Sequence, residues 1–477
     1  MKDTQLAQRS PKPKQASRGP MRYLHLARAV ARARDSTDVA LKLLPVLAKR
    51  GLAWPAAHLV HRSIRPLTHK PGRYKVLIIE KAIFNDDAMA ALGGVDDIQV
   101  FGIGRAVLKA MAVALLPRHL CADDTYVADD PAARLGKARY RRFLGEMWRH
   151  LTRLGGYDAV ITGNWAYWAE RELGAVLEEL GVPFIVLHKE GIKPPARSEL
   201  LRHLFRKTRG QFMGRRMLVY HEDERHHQLQ GDIARDDQIV IVGMPRMDLN
   251  HAWRRSAAAG EIAARAEKPL ALFLAFLPNN FLPSYSGLES DLAWADLCHG
   301  SLRAMIRLAE CDPGIRVIVR PRGQELPELK LLLDAAATSL GRALPANLKL
   351  SAEGDVTPLL QAAWVICAHN TTVMFEGLAV GKPVVVPQFA EAEDERYKGY
   401  IVDPGSAAEL ATSEDDLLAR CLEHCRNPKP IPADISVGAK ASMAKWTGNA
   451  VGDSASRVRA AILRELSAGR TSQTASR

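Results

Sequence analysis

Residues 355–388 read DVTPLLQAAWVICAHNTTVMFEGLAVGKPVVVPQ, and this stretch decides the fold. Asp355 is placed to cap a first helix, whose first turn tolerates Pro358. Trp364 to Ala368 is a short apolar run with β-branched residues, the pattern of a strand buried on both faces. The turn His369-Asn370-Thr371-Thr372 follows at its carboxyl end. A second helix is expected from Val373 to about Val380, stopped by Gly381, and Val384 to Val386 is the next strand. Open α/β sheets bind ligands outside the carboxyl ends of their strands, and helix N-termini attract anions. His369, Asn370, Thr371 and Thr372 are therefore candidate phosphate contacts, and Glu376, one turn into the helix, is a candidate partner for a ribose diol. The same spacing also describes a βαβ unit with no ligand, because hydroxyls cap helices of every kind.

At 477 residues the chain has room for two ordinary domains with extensions. Its formal charge of +13 is unevenly placed: residues 1–70 hold 15 of the 66 Lys/Arg and 3 of the 53 Asp/Glu, a net +12. The remainder is close to neutral, which argues against a nucleic-acid-binding surface. It leaves a basic N-terminal extension suited to an anionic membrane surface. Within that extension residues 1–19 read as disordered. Helices are expected from Met21 to Arg34, from Ser36 or Thr37 onward with a kink at Pro45, and from Ala53 to Ile64. These helices either rest on lipid or pack on the body.

The six cysteines form no metal pattern, and Cys421 and Cys425, four apart, suit helix packing. No signal peptide opens the chain and no run of 18 apolar residues occurs, so a cytoplasmic protein, peripheral to the inner face of the cytoplasmic membrane, is expected.

From Lys75 onward strands and helices alternate, which predicts parallel, doubly wound sheets. Gly102-Ile103-Gly104 lacks the third glycine of a dinucleotide fingerprint. Asn164 stands at the end of the strand 158–162, and His188-Lys189-Glu190-Gly191 at the end of 183–187. Charged residues at strand ends border the crevice, so Glu190 or His188 is a candidate base for an acceptor hydroxyl, with Lys189 and Asn164 as acceptor contacts. His221-Glu222-Asp223-Glu224-Arg225-His226-His227 is not a zincin motif, the second histidine coming one residue late, and reads as an exposed helix start. Residues 249–268 read as the interdomain linker. Beyond it, Asn279 lies in a strand-end loop, and Arg320 and Arg322 follow a strand in a pair suited to a diphosphate.

The pattern Asp…Pro-Leu-Leu, apolar strand, His-Asn-Thr-Thr, Glu376…Gly381-Lys382-Pro383-Val384 resembles the donor-binding segment of GT-B glycosyltransferases. The similarity is greatest to the bacterial surface-carbohydrate and teichoic-acid-type (CDP-glycerol glycerophosphotransferase-like) group. Gly243-Met244-Pro245-Arg246-Met247-Asp248 resembles that group's domain-crossing turn, and residues 445–458 its carboxyl-terminal helix, which crosses back to the first domain. The resemblance implies Glu376 on the nucleotide ribose and Arg246 facing a phosphate. Arg322 stands where many relatives have a histidine, which weakens a glycerophosphotransferase mechanism.

The expectation is thus an α/β protein of two Rossmann-like domains facing a cleft. Residues 1–70 form the extension, 71–250 the acceptor domain, 268–466 the nucleotide-donor domain and 467–477 a disordered tail. The implied activity is a metal-independent glycosyltransferase without cofactor, moving a sugar from a nucleotide-activated donor to a surface-polysaccharide or lipid-linked acceptor. A polyol-phosphate transferase, a sugar-nucleotide 2-epimerase and a non-catalytic membrane-recruited protein are the alternatives.

Overall fold

The apolar runs become the strands of two sheets. The computed structural model describes residues 36–123, 125–189, 191–279 and 292–475, so residues 1–35 and Glu190 lie outside the described residues. The first sheet comprises β1 (Arg65–Pro66), β2 (Tyr74–Glu80), β3 (Ile98–Gly104), β4 (Ala159–Thr162), β5 (Phe184–Leu187), β6 (Arg216–Val219) and β7 (Ile239–Ile241), in the spatial order β1-β3-β2-β4-β5-β6-β7. All its pairs are parallel except β1 with β3. The second comprises β8 (Leu270–Leu274), β9 (Arg316–Arg320), β10 (Leu348–Leu350), β11 (Val365–Ala368), β12 (Val384–Pro387) and β13 (Glu409–Ala411), ordered β10-β9-β8-β11-β12-β13 and wholly parallel. β4, β5, β8, β11 and β12 are buried along their whole length, which is why they read as unbroken apolar runs. These are two Rossmann-like domains facing a cleft, the GT-B arrangement. Among the parallel strands of each sheet the order reverses once, between β2 and β4 and between β8 and β11, and the crevice at such a reversal receives ligands.

Several boundaries differ from the sequence expectation. Helices Ser36–Lys49 and Ala53–Ser63 pack on the first domain, with Ala40, Leu44, Leu47, Ala56, Leu59 and Val60 in the same core cluster as Leu77, Ile79 and Val107. Their apolar faces are thus spent on protein, and β1 pairs with β3, so the first domain begins by residue 36 rather than 71. Gly102-Ile103-Gly104 belongs to β3 itself rather than to a loop after it.

At the other end helix Ser454–Ala475 continues well past residue 467, where a disordered tail was expected. Its Val458, Ala461, Ile462 and Leu466 join β2, β4 and helix Phe84–Leu92 in the first domain's core, as the resemblance implied. The return is tight. Gly448 has φ +63°, and a Cβ there would stand 1.8 Å from the Tyr220 carbonyl oxygen and 3.0 Å from Gly243 Cα. Only glycine permits this backbone-on-backbone crossing. Asp248 holds the returning chain by accepting from the backbone N–H of Ser454 at 3.1 Å and of Ala455 at 2.8 Å, and from Asn449 Nδ2 at 2.6 Å. A carboxylate at a helix N-terminus is also favoured by the helix dipole.

Candidate active site

Two cavities flank the Asn370-Thr371-Thr372 turn, which lines both, as does Arg322. The first, about 390 Å³, sits at the strand reversal of the second sheet, beyond the carboxyl ends of β8, β9 and β11. Its wall includes Phe276, Trp294, Arg320, Arg322, His369 and Asp355. His369 is enclosed by Trp294, ring centroids 4.8 Å apart and edge-on, and by Phe276 at 5.1 Å. Burial pulls its pKa down to about 3, against an opposing contribution from the Pro387 carbonyl, so the ring is neutral near pH 7.

Arg320 donates to the backbone carbonyls of Glu353, at 2.6 Å, and Gly354, at 2.5 Å, and so braces the 353–354 loop. Arg322 keeps a more exposed side chain, 63%, with a 3.5 Å approach to Glu325, and is the guanidinium better placed to meet a ligand. The first domain contributes Ile83 to this wall. Ile83 has φ +69° and ψ −50°, and Phe84 N donates to the Ala82 carbonyl at 2.8 Å, which makes a γ-turn centred on an exposed β-branched residue. Such a conformation stores strain, and sequence periodicity gives no sign of it.

The second cavity, about 350 Å³, lies between the domains. Asn164, His188 and Lys189 reach it from the carboxyl ends of β4 and β5, and helix Pro195–Thr208 adds Arg197, Leu201 and Phe205. Asn370 also lines it. Its φ is +48°, a left-handed conformation that Asn tolerates, while its side chain donates to Tyr400 O at 3.0 Å and accepts from Val402 N at 2.8 Å. The side chain therefore pins a loop rather than standing free for a ligand. Thr371 Oγ1 accepts a long hydrogen bond, 3.4 Å, from Val373 N, the first residue of helix Val373–Ala379. Asn279 is exposed and outside the lining of both cavities.

Two expected ligand contacts pair with each other instead. Arg246 Nη1 meets Asp87 Oδ2 at 2.8 Å, and its Nε meets Glu376 Oε1 at 3.3 Å. Tyr220 donates its hydroxyl to the same Asp87 oxygen at 2.6 Å. Asp87 and Arg246 come from the first domain and Glu376 from the second, so the cluster joins the two across the base of the cleft. Neither Arg246 nor Glu376 belongs to either cavity wall: the Arg246 guanidinium lies between two buried carboxylates, one of them Glu376, which is 6% exposed. Burial raises the Glu376 pKa, with Arg246 opposing.

The segment His221–His227 does start a helix, Glu222–Gln230, but only one face of it is exposed as expected. His221, Glu224, His227 and Gln228 are all buried. Helical spacing explains this: 221, 224, 227 and 228 share one face while 222, 223, 225 and 226 share the other. Glu224 Oε1 accepts from His188 Nε2 at 3.1 Å and from Gln228 Nε2 at 2.5 Å, and Oε2 accepts from Lys193 Nζ at 2.5 Å. Burial opposes ionisation of Glu224, but Lys193 and the His188 hydrogen bond outweigh it and hold the carboxyl well below the usual range. Burial brings His227 down to about 3, with Lys193 adding to the effect. Polar residues at helical period could have signalled this buried cluster in the sequence. Among the described residues no group of three or more His, Cys, Asp or Glu is placed to hold a metal ion. No described helix is long and apolar enough to cross a membrane.

No protein family and no curated protein matches the sequence. Solved structures do resemble it at low identity. A UDP-GlcNAc 2-epimerase from Neisseria meningitidis, bound to UDP-GlcNAc, matches with 13% identity over 82% of this chain and 100% of its own, TM-score 0.46. The α,α-trehalose 6-phosphate synthase of Burkholderia multivorans matches with 12% identity over 86% and 99%, TM-score 0.43. The wall teichoic acid polymerase TagF matches with 8% identity over 91% and 97%, TM-score 0.46. Similarity at this level carries no statement about activity or substrate.

Proposed function

We propose that the protein transfers a sugar from a nucleotide-activated donor, seated in the first cavity, to a glycan or lipid-linked acceptor in the second. The observation that carries this reading is the pair of cavities sharing one turn and one arginine: Asn370-Thr371-Thr372 and Arg322 stand where a bond passing between two substrates would lie. A reaction on one substrate alone, such as epimerisation, has no use for the second chamber. Arg322 and the hydroxyls of Thr371 and Thr372 are proposed to take up charge on the departing diphosphate, without a metal ion. His188 borders the acceptor chamber as the general base of an inverting transfer; Glu190 remains a second candidate from its place in the sequence. The basic residues 1–35 are proposed to bring the enzyme to the anionic inner face of the cytoplasmic membrane, where lipid-linked acceptors are found.

The test is donor consumption. Nucleotide sugars are incubated with the full chain, with and without extracts containing lipid-linked or capsular acceptors, and the products are separated by mass. Consumption that depends on acceptor supports transfer. Isomerised donor without acceptor would make the protein an epimerase, and consumption of a nucleotide-activated polyol a phosphotransferase. Binding with no consumption of any donor would leave a recruited binding protein.

A further inference from the structure

We infer that Glu224 is the positioning residue of a His188–Glu224 pair that presents His188 Nδ1 as the proton acceptor of the reaction; this rests on the transfer reading and deepens it. The argument begins with hydrogen-bond inventory. Glu224 is held ionised and can only accept, so His188 Nε2, 3.1 Å from Glu224 Oε1, carries the ring proton. A neutral imidazole protonated at Nε2 has its lone pair at Nδ1. That nitrogen is buried and has no hydrogen-bond partner among the described residues, and His188 borders the interdomain cavity. The orientation is fixed from behind. Gln228 occupies the same Glu224 oxygen, Lys193 the other, and His221 Nδ1 accepts from the Glu224 backbone N–H at 3.3 Å. With its carboxylate fully engaged, Glu224 cannot turn away from the ring.

In the step this pair serves, the acceptor oxygen forms a bond to the anomeric carbon as the bond from that carbon to the donor's diphosphate oxygen breaks. The electron pair of the broken bond leaves with the nucleoside diphosphate. The acceptor's hydroxyl proton passes to His188 Nδ1, and the imidazolium keeps its Nε2–H on Glu224, whose negative charge stabilises it.

The test combines spectroscopy with kinetics on the full chain. In 15N-histidine-labelled protein, a His188→Gln variant identifies the His188 ring signals. The wild type is expected to show the Nε2–H tautomer, with Nδ1 at the shift of an unprotonated ring nitrogen. Glu224→Gln is expected to move the His188 titration to lower pH, to lower turnover by about 10²–10⁴-fold and to shift the acid limb of kcat/KM with it. Nucleotide affinity, measured by titration with UDP and CDP, is expected to stay within about twofold, since the donor cavity is untouched. A wild-type ring protonated at Nδ1 would overturn the pair without any variant needing to fold. So would a His188 titration and pH profile indifferent to Glu224→Gln. An Nε2–H ring whose titration follows Glu224 in a protein that consumes no donor would instead sink the transfer reading and, with it, the role of base, while leaving the hydrogen-bonded pair in place.

Discussion

Arg246 offers the sharpest contrast between a ligand contact and an internal brace. Arg246→Met keeps much of the volume and removes the cation from between Asp87 and Glu376, whose side chains are 0% and 8% exposed. Neither carboxylate can turn to water, so solvent screening gives little relief. Breaking a buried pair from one side costs about 3–5 kcal/mol, roughly 10²–10³-fold or more in the folding equilibrium. At a urea dependence of about 3 kcal/mol per M, the unfolding midpoint should fall by about 1–1.7 M. Because burial already raises the Glu376 pKa, that residue protonates readily in the variant, and the deficit should narrow as pH drops from 8 toward about 5. Urea unfolding followed by tryptophan fluorescence at both pH values gives the midpoints. Titration with nucleoside diphosphate gives the affinity. A phosphate contact would lose about 1.5–3 kcal/mol of affinity and leave the midpoint alone. That outcome would refute the brace and return Arg246 to the ligand.

Other consequences can be measured alongside. Arg322→Ala should weaken nucleoside diphosphate binding by about 1.5–3 kcal/mol, the value of a hydrogen bond to a charged group, with little change in unfolding midpoint; unchanged affinity would remove Arg322 from the donor site. His369 titrates at about 3 when folded against an ordinary 6.5, so the unfolded chain binds the extra proton between those values. Its stabilising effect is complete above about pH 6.5 and declines by up to about 1.4 kcal/mol per pH unit as pH falls toward 3; His369→Gln should flatten the slope of midpoint against pH. Deleting residues 1–35 should leave a folded protein that no longer sediments with anionic vesicles at low salt, whereas deleting 1–63 strips Leu44, Leu47, Leu59 and Val60 from the core and should give insoluble protein. Equal sedimentation of the 1–35 deletion and the full chain would exclude the basic stretch as a membrane anchor.

Much of the architecture is legible because parallel strands leave unbroken apolar runs. Trp364 to Ala368 and Val384 to Val386 announce β11 and β12 to within a residue, and Gly381, at φ +73°, ends the helix between them as read. The short edge strands β1, β10 and β13 leave no such run: two or three residues at a sheet margin carry no period. The turn at 370–372 and the residues at the ends of β4 and β5 do line cavities, because topology places strand ends at the crevice. What sequence could not supply is which charged residues neutralise one another. Arg246 and Glu376 lie 130 positions apart, and their pairing depends on how two domains meet. Likewise the Ser36–Lys49 and Ala53–Ser63 helices are equally amphipathic on lipid or on protein; only the fitted neighbours at Leu77, Val107 and Tyr140 settle where those faces go.

The return of helix Ser454–Ala475 to the first sheet has a consequence for how the polypeptide is made. A ribosome finishes β7 long before it adds Val458, Ala461, Ile462 and Leu466, which complete the first domain's core. About 200 residues must be synthesised in between, a delay of about 10–40 s at 5–20 residues per second. Throughout that interval the second domain is being made, its core ending with Met443 and Trp446, while the first waits with an uncovered apolar groove over β2 and helix Phe84–Leu92. The first domain, begun first, is therefore completed last, by the final helix of the chain. A gene cut between the two domains would leave that groove uncovered permanently, unless codons 454–475 were moved ahead of codon 36 or supplied as a separate peptide.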